Sequence, residues 1–430
     1  MITALAGYVG ARFIGAGLGL LTQLVLARSL LPADVTTVFM AMSSAAFLSL
    51  LMNGGESQLA STHLPKLMAH GFGEMGRAAT VKAFHAFVLR NMVTVYVALC
   101  VLLLAIWLTG WMAQNVLLAL LAGLISAPFS GLARYNAMVA NSLRWFPLSY
   151  VPDFIVRPGL FLLTIIAFIM MGLHHNVLAV LAAFVLFVWL TGIGQSVLMR
   201  GQGLSLSHLK SYRRRYGRVL RPRSLALLVV SIVAFAFADV VMLLAGFLLP
   251  AEDAAVAGVA IRLAAIAGFV LQAAQLFVLP DFAQAMARRD TTQANAVLWR
   301  MNALTLLVIP GALIGALVLG RSVLSLFGSI YTDGADILVL LLVGQSIRAL
   351  GGMNQNLLAI EGYQIKTAWS CLVALAILLC AAIVLCRSLG LNGLGYAVIA
   401  AEATWMLGLA SQAQRFCHRR ADLLWLVRNS

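Results

Sequence analysis

The sequence predicts an all-α integral membrane protein with about twelve transmembrane helices in two pseudo-symmetric six-helix lobes. Three observations predict it: an apolar composition, a series of long apolar runs, and a repeat between the two halves. Hydrophobic residues make up 62% of the 430 residues and charged residues only 10%, whereas a soluble domain is about a quarter charged. So few charges cannot cover the surface of a soluble chain. Lipid must therefore cover much of it, which excludes soluble, disordered and disulfide-rich secreted classes.

The apolar runs give the predicted helices. A spanning helix needs about 20 mostly apolar residues. The runs are 4–27, 35–59, 86–108, 116–139, 148–171, 177–198, 224–248, 255–279, 301–319, 336–359, 367–386 and 393–413. Glycine and proline inside them are acceptable, because membrane helices tolerate both. No basic segment precedes the first run, which indicates a retained helix rather than a signal peptide.

The basic residues predict the orientation. Twelve helices place both termini on one side, and 20 of the 29 Lys and Arg residues fall in the loops and tails of that side, against three on the other. Because basic residues concentrate on the cytoplasmic side of membrane proteins, both termini are predicted to be cytoplasmic. Trp145, Trp299 and Trp369 near the inner boundary fit an interfacial aromatic belt.

This orientation divides the chain into four parts. A lobe at 1–199 and a lobe at 224–414 are joined by a basic linker at 200–223, and a basic tail follows at 415–430. The linker is predicted to touch anionic lipid headgroups. Binding to nucleic acid is disfavoured, because few aromatic residues interleave with the basic ones and no folded platform supports them.

The two halves share a repeat. The segment Leu26-Ala-Arg-Ser-Leu-Leu-Pro-Ala-Asp34 matches Leu244-Ala-Gly-Phe-Leu-Leu-Pro-Ala-Glu252 at six of nine positions. Leu64-Pro65 and Leu279-Pro280 are predicted to end helices 2 and 8, and Arg134 in helix 4 matches Arg348 in helix 10. Six helices per half is an even number, so both halves insert the same way up as parallel repeats, a design that commonly places a substrate path between them.

Charges inside the membrane are the candidate functional residues. Six arginines fall within predicted helices: Arg12, Arg90, Arg134, Arg157, Arg262 and Arg348. A charge at a helix centre costs about 2.5–3.5 kcal/mol on insertion scales, so it usually faces a bundle interior or a watery cavity. Arg134 and Arg348 lead as residues of a cationic cavity for an anionic ligand, followed by Arg12 and Arg262. The alternatives are a structural contact to a helix-break carbonyl for the leading pair and snorkelling for Arg12.

Acidic residues offer ion pairs or coupling groups. Asp153 and Arg157 are spaced i,i+4 between two prolines, which favours an intrahelical ion pair at a kinked helix end over a proton relay. Asp239 and Glu402 either pair with an arginine on another helix or titrate. Further polar side chains are suited to meet hydroxyl groups: Asn53, Glu56, Gln58, Asn354, Gln355, Asn356 and Glu361.

Motifs for enzyme chemistry are not found in the sequence. It contains no Walker loop, no HExxH and no GxSxG with partners, and its five cysteines lack metal-ligand spacing. The glycines of Gly15-Ala-Gly-Leu-Gly19 follow no strand and precede no Lys-Ser/Thr, so they indicate close helix packing. No catalytic residue, metal or cofactor is predicted.

Several stretches of the second half carry a family resemblance. They are Ala238-Asp239-Val-Val-Met-Leu-Leu-Ala-Gly246, Val256-Ala-Gly-Val-Ala-Ile-Arg-Leu-Ala264, Leu279-Pro280-Asp281-Phe282 and Arg288-Arg289-Asp290. An acidic seventh helix, a short turn, a Gly-then-Ala helix start and a proline at the end of the eighth helix resemble the multidrug/oligosaccharidyl-lipid/polysaccharide (MOP) superfamily, in particular its Wzx-type polysaccharide flippases. The first half is similar in its Leu-Leu-Pro turn and Gly54-Gly55. The pattern departs where Val259 and Ala260, rather than an aromatic residue, follow Gly258.

The resemblance implies a transporter rather than an enzyme. It implies two six-helix lobes around a cationic cavity in the bacterial inner membrane. Alternating access would carry an undecaprenyl-pyrophosphate-linked oligosaccharide, an O-antigen or exopolysaccharide repeat unit, to the outer leaflet, with polysaccharide polymerase machinery as a partner. Two alternatives stay open. A MATE-type small-molecule antiporter would favour an acidic cavity for organic cations, and a membrane glycosyl-polymerase or ligase usually carries a sizeable outer loop.

Overall fold

A computed structural model describes residues 2–60, 74–110, 112–142, 145–173, 175–201 and 210–423. Within these ranges the chain is all-helical and contains no strand. It divides into two compact units, Met1–Leu243 and Leu244–Ser430. The division falls within the helix Phe237–Leu248, later in the chain than the linker predicted at 200–223.

The helices of the two units follow in chain order. The first unit contains α1 (Ile2–Ser29), α2 (Pro32–Asn53), α3 (Glu74–Leu108), α4 (Gln114–Ser142), α5 (Phe146–Val151), a π-helix (Pro152–Val156), α6 (Arg157–Met170), α7 (Val177–Gly201) and α8 (Lys210–Phe235). Helix α9 (Phe237–Leu248) includes the boundary. The second unit continues with α10 (Ala251–Arg288), α11 (Thr291–Ser325), a 3-10 helix (Ser329–Gly334), α12 (Ala335–Leu350), α13 (Asn354–Ile360) and α14 (Gln364–Cys417).

The described helices account for the predicted spans. Ten are long and apolar enough to cross a membrane, and the number is eleven when the bent pair Arg223–Phe235 and Phe237–Leu248 is counted as one span. Helix α14 has 54 residues, more than twice the number needed to span a membrane. The non-helical Gly390 divides it, and Gln412 Nε2 donates hydrogen bonds to Ser370 Oγ (2.8 Å) and Lys366 O (3.0 Å). These contacts fold α14 into an antiparallel hairpin of two spans, and the predicted all-α membrane fold class is confirmed.

Three details differ from the sequence prediction. Helix α10 does not end at Pro280 but continues to Arg288, because a long membrane helix tolerates the one backbone donor that proline removes. Residues 210–223, predicted as polar linker, form the first turns of α8. The predicted run 224–248 is bent by 74° at Ala236. Leu64-Pro65 lies outside the described residues.

Close helix approach in the first unit depends on glycine. A Cβ added at Gly123 of α4 would lie 1.8 Å from Ser44 Oγ of α2, and that hydroxyl donates to Ala119 O at 3.2 Å. A Cβ at Gly15 of α1 would lie 2.4 Å from Phe154 O, which confirms the predicted close packing there, whereas Gly17 and Gly19 have nothing within 4 Å. Small residues thus let these membrane helices touch through their backbones.

The repeated turns have the same backbone geometry. Leu31 precedes α2 with φ −66° and ψ 149°, and Pro250 precedes α10 with φ −55° and ψ 151°. The extended residue falls one position later in the second copy. In both copies it redirects the chain from one span into the next.

Candidate functional site

In the first unit, several charged residues lie around the span Phe146–Met170, which the π-helix interrupts. Arg134, on α4, experiences the charges of Asp153, Asp239 and Arg157. Arg157 Nη1 lies 3.1 Å from Asp153 Oδ1 in an i,i+4 ion pair. All four side chains are partly exposed. Four residues that the sequence singled out therefore share one neighbourhood.

Prolines explain why this span is interrupted. Pro152 begins the π-helix and Pro158 lies in the first turn of α6, and neither residue supplies a backbone donor. The π-helix carries Asp153 and Phe154, and the guanidinium carbon of Arg12 lies 5.8 Å from the centroid of the Phe154 ring. Single-turn π segments are frequent at functional sites. With Arg12 included, the cluster holds three arginines and two aspartates.

In the second unit, Arg348 forms a direct ion pair with Glu402. Arg348 Nε donates to both carboxylate oxygens of Glu402, at 2.9 and 3.0 Å, and its Nη2 lies 2.8 Å from Oε1. The guanidinium also lies 4.7 Å from the Trp405 ring centroid. Gly344 and Val398 meet one turn earlier on the two helices, where a glycine Cβ would lie 2.9 Å from Val398 Cγ1. Two sequence candidates thus form a buried ion pair between α12 and α14.

The two repeat-related arginines lie in different units and unlike surroundings. Helix α4 contacts α7 through a hydrogen bond from Asn136 Nδ2 to Ser196 Oγ (2.9 Å), yet α7 contains no acidic residue. It therefore cannot supply Arg134 with the carboxylate that α14 supplies to Arg348. The remaining candidate, Arg262, lies on α10 beside the buried Ile261 and is partly exposed.

The end of the chain engages a residue expected to meet hydroxyl groups. Asn354 Oδ1 accepts from Ala421 N (2.7 Å), and its Nδ2 donates to Asp422 Oδ2 (3.1 Å). Met353 N also donates to Ala421 O at 2.8 Å. Residues 418–423 of the predicted basic tail thus pack on the break between α12 and α13, while 424–430 lie outside the described residues.

One of the polar residues expected to meet hydroxyl groups is instead a buried carboxyl group. Glu56 is fully buried just beyond α2, and its Oε1 accepts from Asn91 Nδ2 at 2.7 Å. Within the described part of the chain, three buried oxygens here lack a hydrogen-bond partner: Glu56 Oε2, Asn53 Oδ1 and the Tyr135 hydroxyl. Burial raises the pKa of Glu56 to about 8, against the opposing effects of Asn91 and Arg221.

The local sequence held a signal for this group. Gly54 and Gly55 both adopt positive φ, 53° and 78°, which ends α2 and turns the following residue inward. An acidic residue directly after two glycines within an apolar run is therefore the pattern that could have predicted a buried carboxyl group here. Its environment comes from long-range packing, since Met52, Phe84 and Met92 belong to the surrounding apolar cluster.

A cavity of about 450 Å³ opens at one end of the second unit. The turn between α10 and α11, the end of α13 and the segment after α14 form it. The polar lining residues are Arg289, Asp290, Thr291, Glu361 and Arg419. The described residues include no cluster of His, Cys, Asp and Glu that could hold a metal ion.

Solved structures with the same fold identify the architecture. No protein-family model and no curated protein matches the sequence. The lipid II flippase MurJ, in an inward closed conformation, aligns with a TM-score of 0.70 at 16% identity over 95% of this chain and 87% of that chain.

Transporters of the MATE family align as well. An inward-facing multidrug resistance MATE transporter of the MOP superfamily gives a TM-score of 0.65 at 16% identity, over 96% of both chains. A MATE protein in a straight conformation gives 0.63, with the same identity and coverage. The chain is therefore a multi-pass, all-helical membrane protein with the fold that MATE transporters and a lipid II flippase share.

Proposed function

We propose that the protein is a flippase for a polyprenyl-pyrophosphate-linked oligosaccharide, such as an O-antigen or exopolysaccharide repeat unit. It carries this lipid from the cytoplasmic to the outer leaflet by alternating access. The observation that carries the proposal is the membrane-embedded cluster with Arg12, Arg134 and Arg157. A pyrophosphate bears several negative charges, and its passage through a low-dielectric region is unfavourable without compensating positive charge.

Within this proposal Arg134 is the main phosphate contact. A guanidinium can hold phosphate oxygens bidentately, which an ammonium cannot. Arg12 and Arg157 add positive charge, while Asp153 and Asp239 orient the arginines between substrates. Arg348 has a positioning role, because Glu402 already occupies its guanidinium. Arg262 is the remaining substrate-binding candidate in the second unit.

The proposed setting is the inner membrane of a bacterium, with both termini in the cytoplasm. The distribution of basic residues supports this orientation. Structural similarity to a protein named as a lipid II flippase supports a lipid-linked substrate. Polysaccharide polymerase machinery would then use the glycan delivered to the outer face.

The test is export in cells that depend on a single variant. Arg134→Ala should leave membrane insertion intact and cause lipid-linked oligosaccharide to accumulate on the cytoplasmic face. Arg134→Lys should retain part of the export, because the charge remains while the bidentate geometry is lost. Arg321→Ala, at an exposed position on α11, is the matched control and should export normally. Full export by Arg134→Ala at normal expression would remove the basis of the proposal.

A MATE-type small-molecule antiporter is the second candidate, favoured by the full-length similarity to MATE transporters. A cavity for organic cations would favour acidic residues, whereas arginines outnumber aspartates in the first-unit cluster. Expression in a drug-sensitive host separates the two functions. We expect no gain in tolerance to cationic drugs. Arg134-dependent tolerance without any effect on lipid-linked oligosaccharide would favour the antiporter.

A further inference from the structure

The cavity at the end of the second unit has the properties of an anion site. One of its lining residues, Arg419, is partly buried. Its Nη2 donates to Asn295 Oδ1, and its Nη1 lies 4.0 Å from the sulfur of Met286. Both partners are neutral, and no described carboxylate forms an ion pair with this guanidinium. Burial lowers the pKa of Arg419, because desolvation disfavours the charged guanidinium.

Two arginines and two carboxylates line the cavity, so the lining alone carries no net charge. Asp290 caps α11, where its side chain accepts from Gln293 N at 3.0 Å. Glu361 is exposed at the rim, and the exposed Arg289 adds a second guanidinium to the lining. Three further exposed basic residues lie close by in sequence: Arg288, Lys366 and Arg415. The excess of positive charge at this end of the unit comes from these three residues rather than from the lining.

Two tryptophans place this end of the unit at a membrane boundary. Trp299 on α11 is 59% exposed and Trp369 on α14 is 69% exposed. Each lies about one and a half to two turns from the helix start beside the cavity, a distance of roughly 8–12 Å along the axis. Exposed tryptophan is typical of the boundary between acyl chains and headgroups. The cavity lies on the polar side of that boundary, at the level of lipid phosphates.

We propose that this cavity binds the phosphate group of an anionic phospholipid from the adjacent leaflet, with Arg419 and Arg289 as its ligands. Basic pockets near the membrane surface bind lipid headgroups through such contacts. Asn295 and Met286 hold Arg419 in place, so little side-chain entropy is lost on binding. A volume of about 450 Å³ accommodates a glycerophosphate headgroup. The site is independent of the proposed flippase activity.

The experiment uses delipidated, full-length protein in a neutral detergent. Short-chain phosphatidylglycerol, phosphatidylcholine and inorganic phosphate are titrated separately, and apparent melting temperature and lipid adducts in native mass spectrometry are measured. Arg419→Gln removes the charge while keeping a donor for Asn295. Arg387→Gln removes an exposed arginine from the other end of the hairpin helix α14 and serves as the matched control.

The expected result is saturable stabilisation by phosphatidylglycerol and little by phosphatidylcholine. Arg419→Gln should weaken phosphatidylglycerol binding by about fivefold or more, as the loss of one basic residue near a membrane surface implies, and Arg387→Gln should not. Equal binding by the two variants would overturn the site. Equal stabilisation by inorganic phosphate, lost in Arg419→Gln, would overturn the lipid as its source and assign the cavity to soluble phosphate compounds.

Discussion

Replacing Glu402 by Gln should destabilise the second unit more than replacing its partner Arg348 by Met. The carboxylate is 1% exposed and the guanidinium 16%, so neither group is well hydrated when its partner is lost. Glu402→Gln leaves a guanidinium that stays charged at every accessible pH. Arg348→Met leaves a carboxyl group that can take up a proton. The two single variants should therefore differ.

The magnitude follows from burial and geometry. Removing one partner of a buried pair costs about 3–5 kcal/mol. For a unit of this size, about 2–4 °C is lost per kcal/mol, so Glu402→Gln should lower the apparent melting temperature by roughly 6–20 °C. Arg348→Met should lower it less, although it also removes the cation–π contact with Trp405, worth about 0.5–2 kcal/mol. Replacing both residues by Met should restore most of the loss, because an apolar pair leaves no buried charge.

The assay is thermal unfolding of purified protein in detergent, followed by intrinsic fluorescence. Glu361→Gln, which changes an exposed carboxyl group in the same unit, is the control and should unfold like the parent. The reasoning fails if Glu402→Gln unfolds like Glu361→Gln. It also fails if the double Met variant is less stable than both single variants.

Further outcomes can be checked separately. Gly352→Ala should destabilise the protein more than Gly362→Ala: both positions have positive φ, 55° and 83°, but only at Gly352 would the new Cβ lie 2.5 Å from Ala421 O. Limited proteolysis should then release the C-terminal segment in the first variant alone. The raised pKa of Glu56, about 8, means that the stability contributed by its bound proton is complete below about pH 4.5 and lost as pH rises to 8. Melting temperature should fall over that interval, and Glu56→Gln should flatten the profile. In a cysteine-free background, Glu252→Cys should react with an impermeant thiol reagent in intact cells, and Arg289→Cys only after permeabilisation; the reverse would refute the proposed orientation.

Local pattern predicted what local physics determines. Apolar runs of about 20 residues predicted the spans, because a helix needs that many apolar residues to cross the hydrocarbon core. The i,i+4 spacing of Asp153 and Arg157 places them on one helix face, and their ion pair is present at 3.1 Å. The predicted helix end at Pro280 was wrong, because the effect of a proline depends on whether neighbouring helices accommodate the missing backbone donor.

Such local patterns could not predict contacts between residues that are far apart in sequence. Arg348 and Glu402 are 54 residues apart in sequence, and only the parallel packing of α12 on the second half of α14 brings them together. Glu56 and Asn91 are 35 residues apart. A polar group in an apolar run indicates that a partner exists. It does not identify the partner, because several helices carry suitable residues.

The repeat itself leads to a last prediction about transport. Equivalent arginines in a duplicated fold invite the expectation of equivalent roles, yet only Arg348 has a dedicated carboxylate on the neighbouring helix, while α7 has none to offer Arg134. If Arg348 only holds α12 to α14, Arg348→Met/Glu402→Met should keep both stability and export of the lipid-linked oligosaccharide. Arg134→Met should lose export, because the phosphate loses its bidentate contact, and it should cost less stability than Glu402→Gln, because Asp153 keeps Arg157 as its ion-pair partner. Loss of export in a stable double Met variant would instead make Arg348 a substrate contact that exchanges Glu402 for phosphate during the cycle.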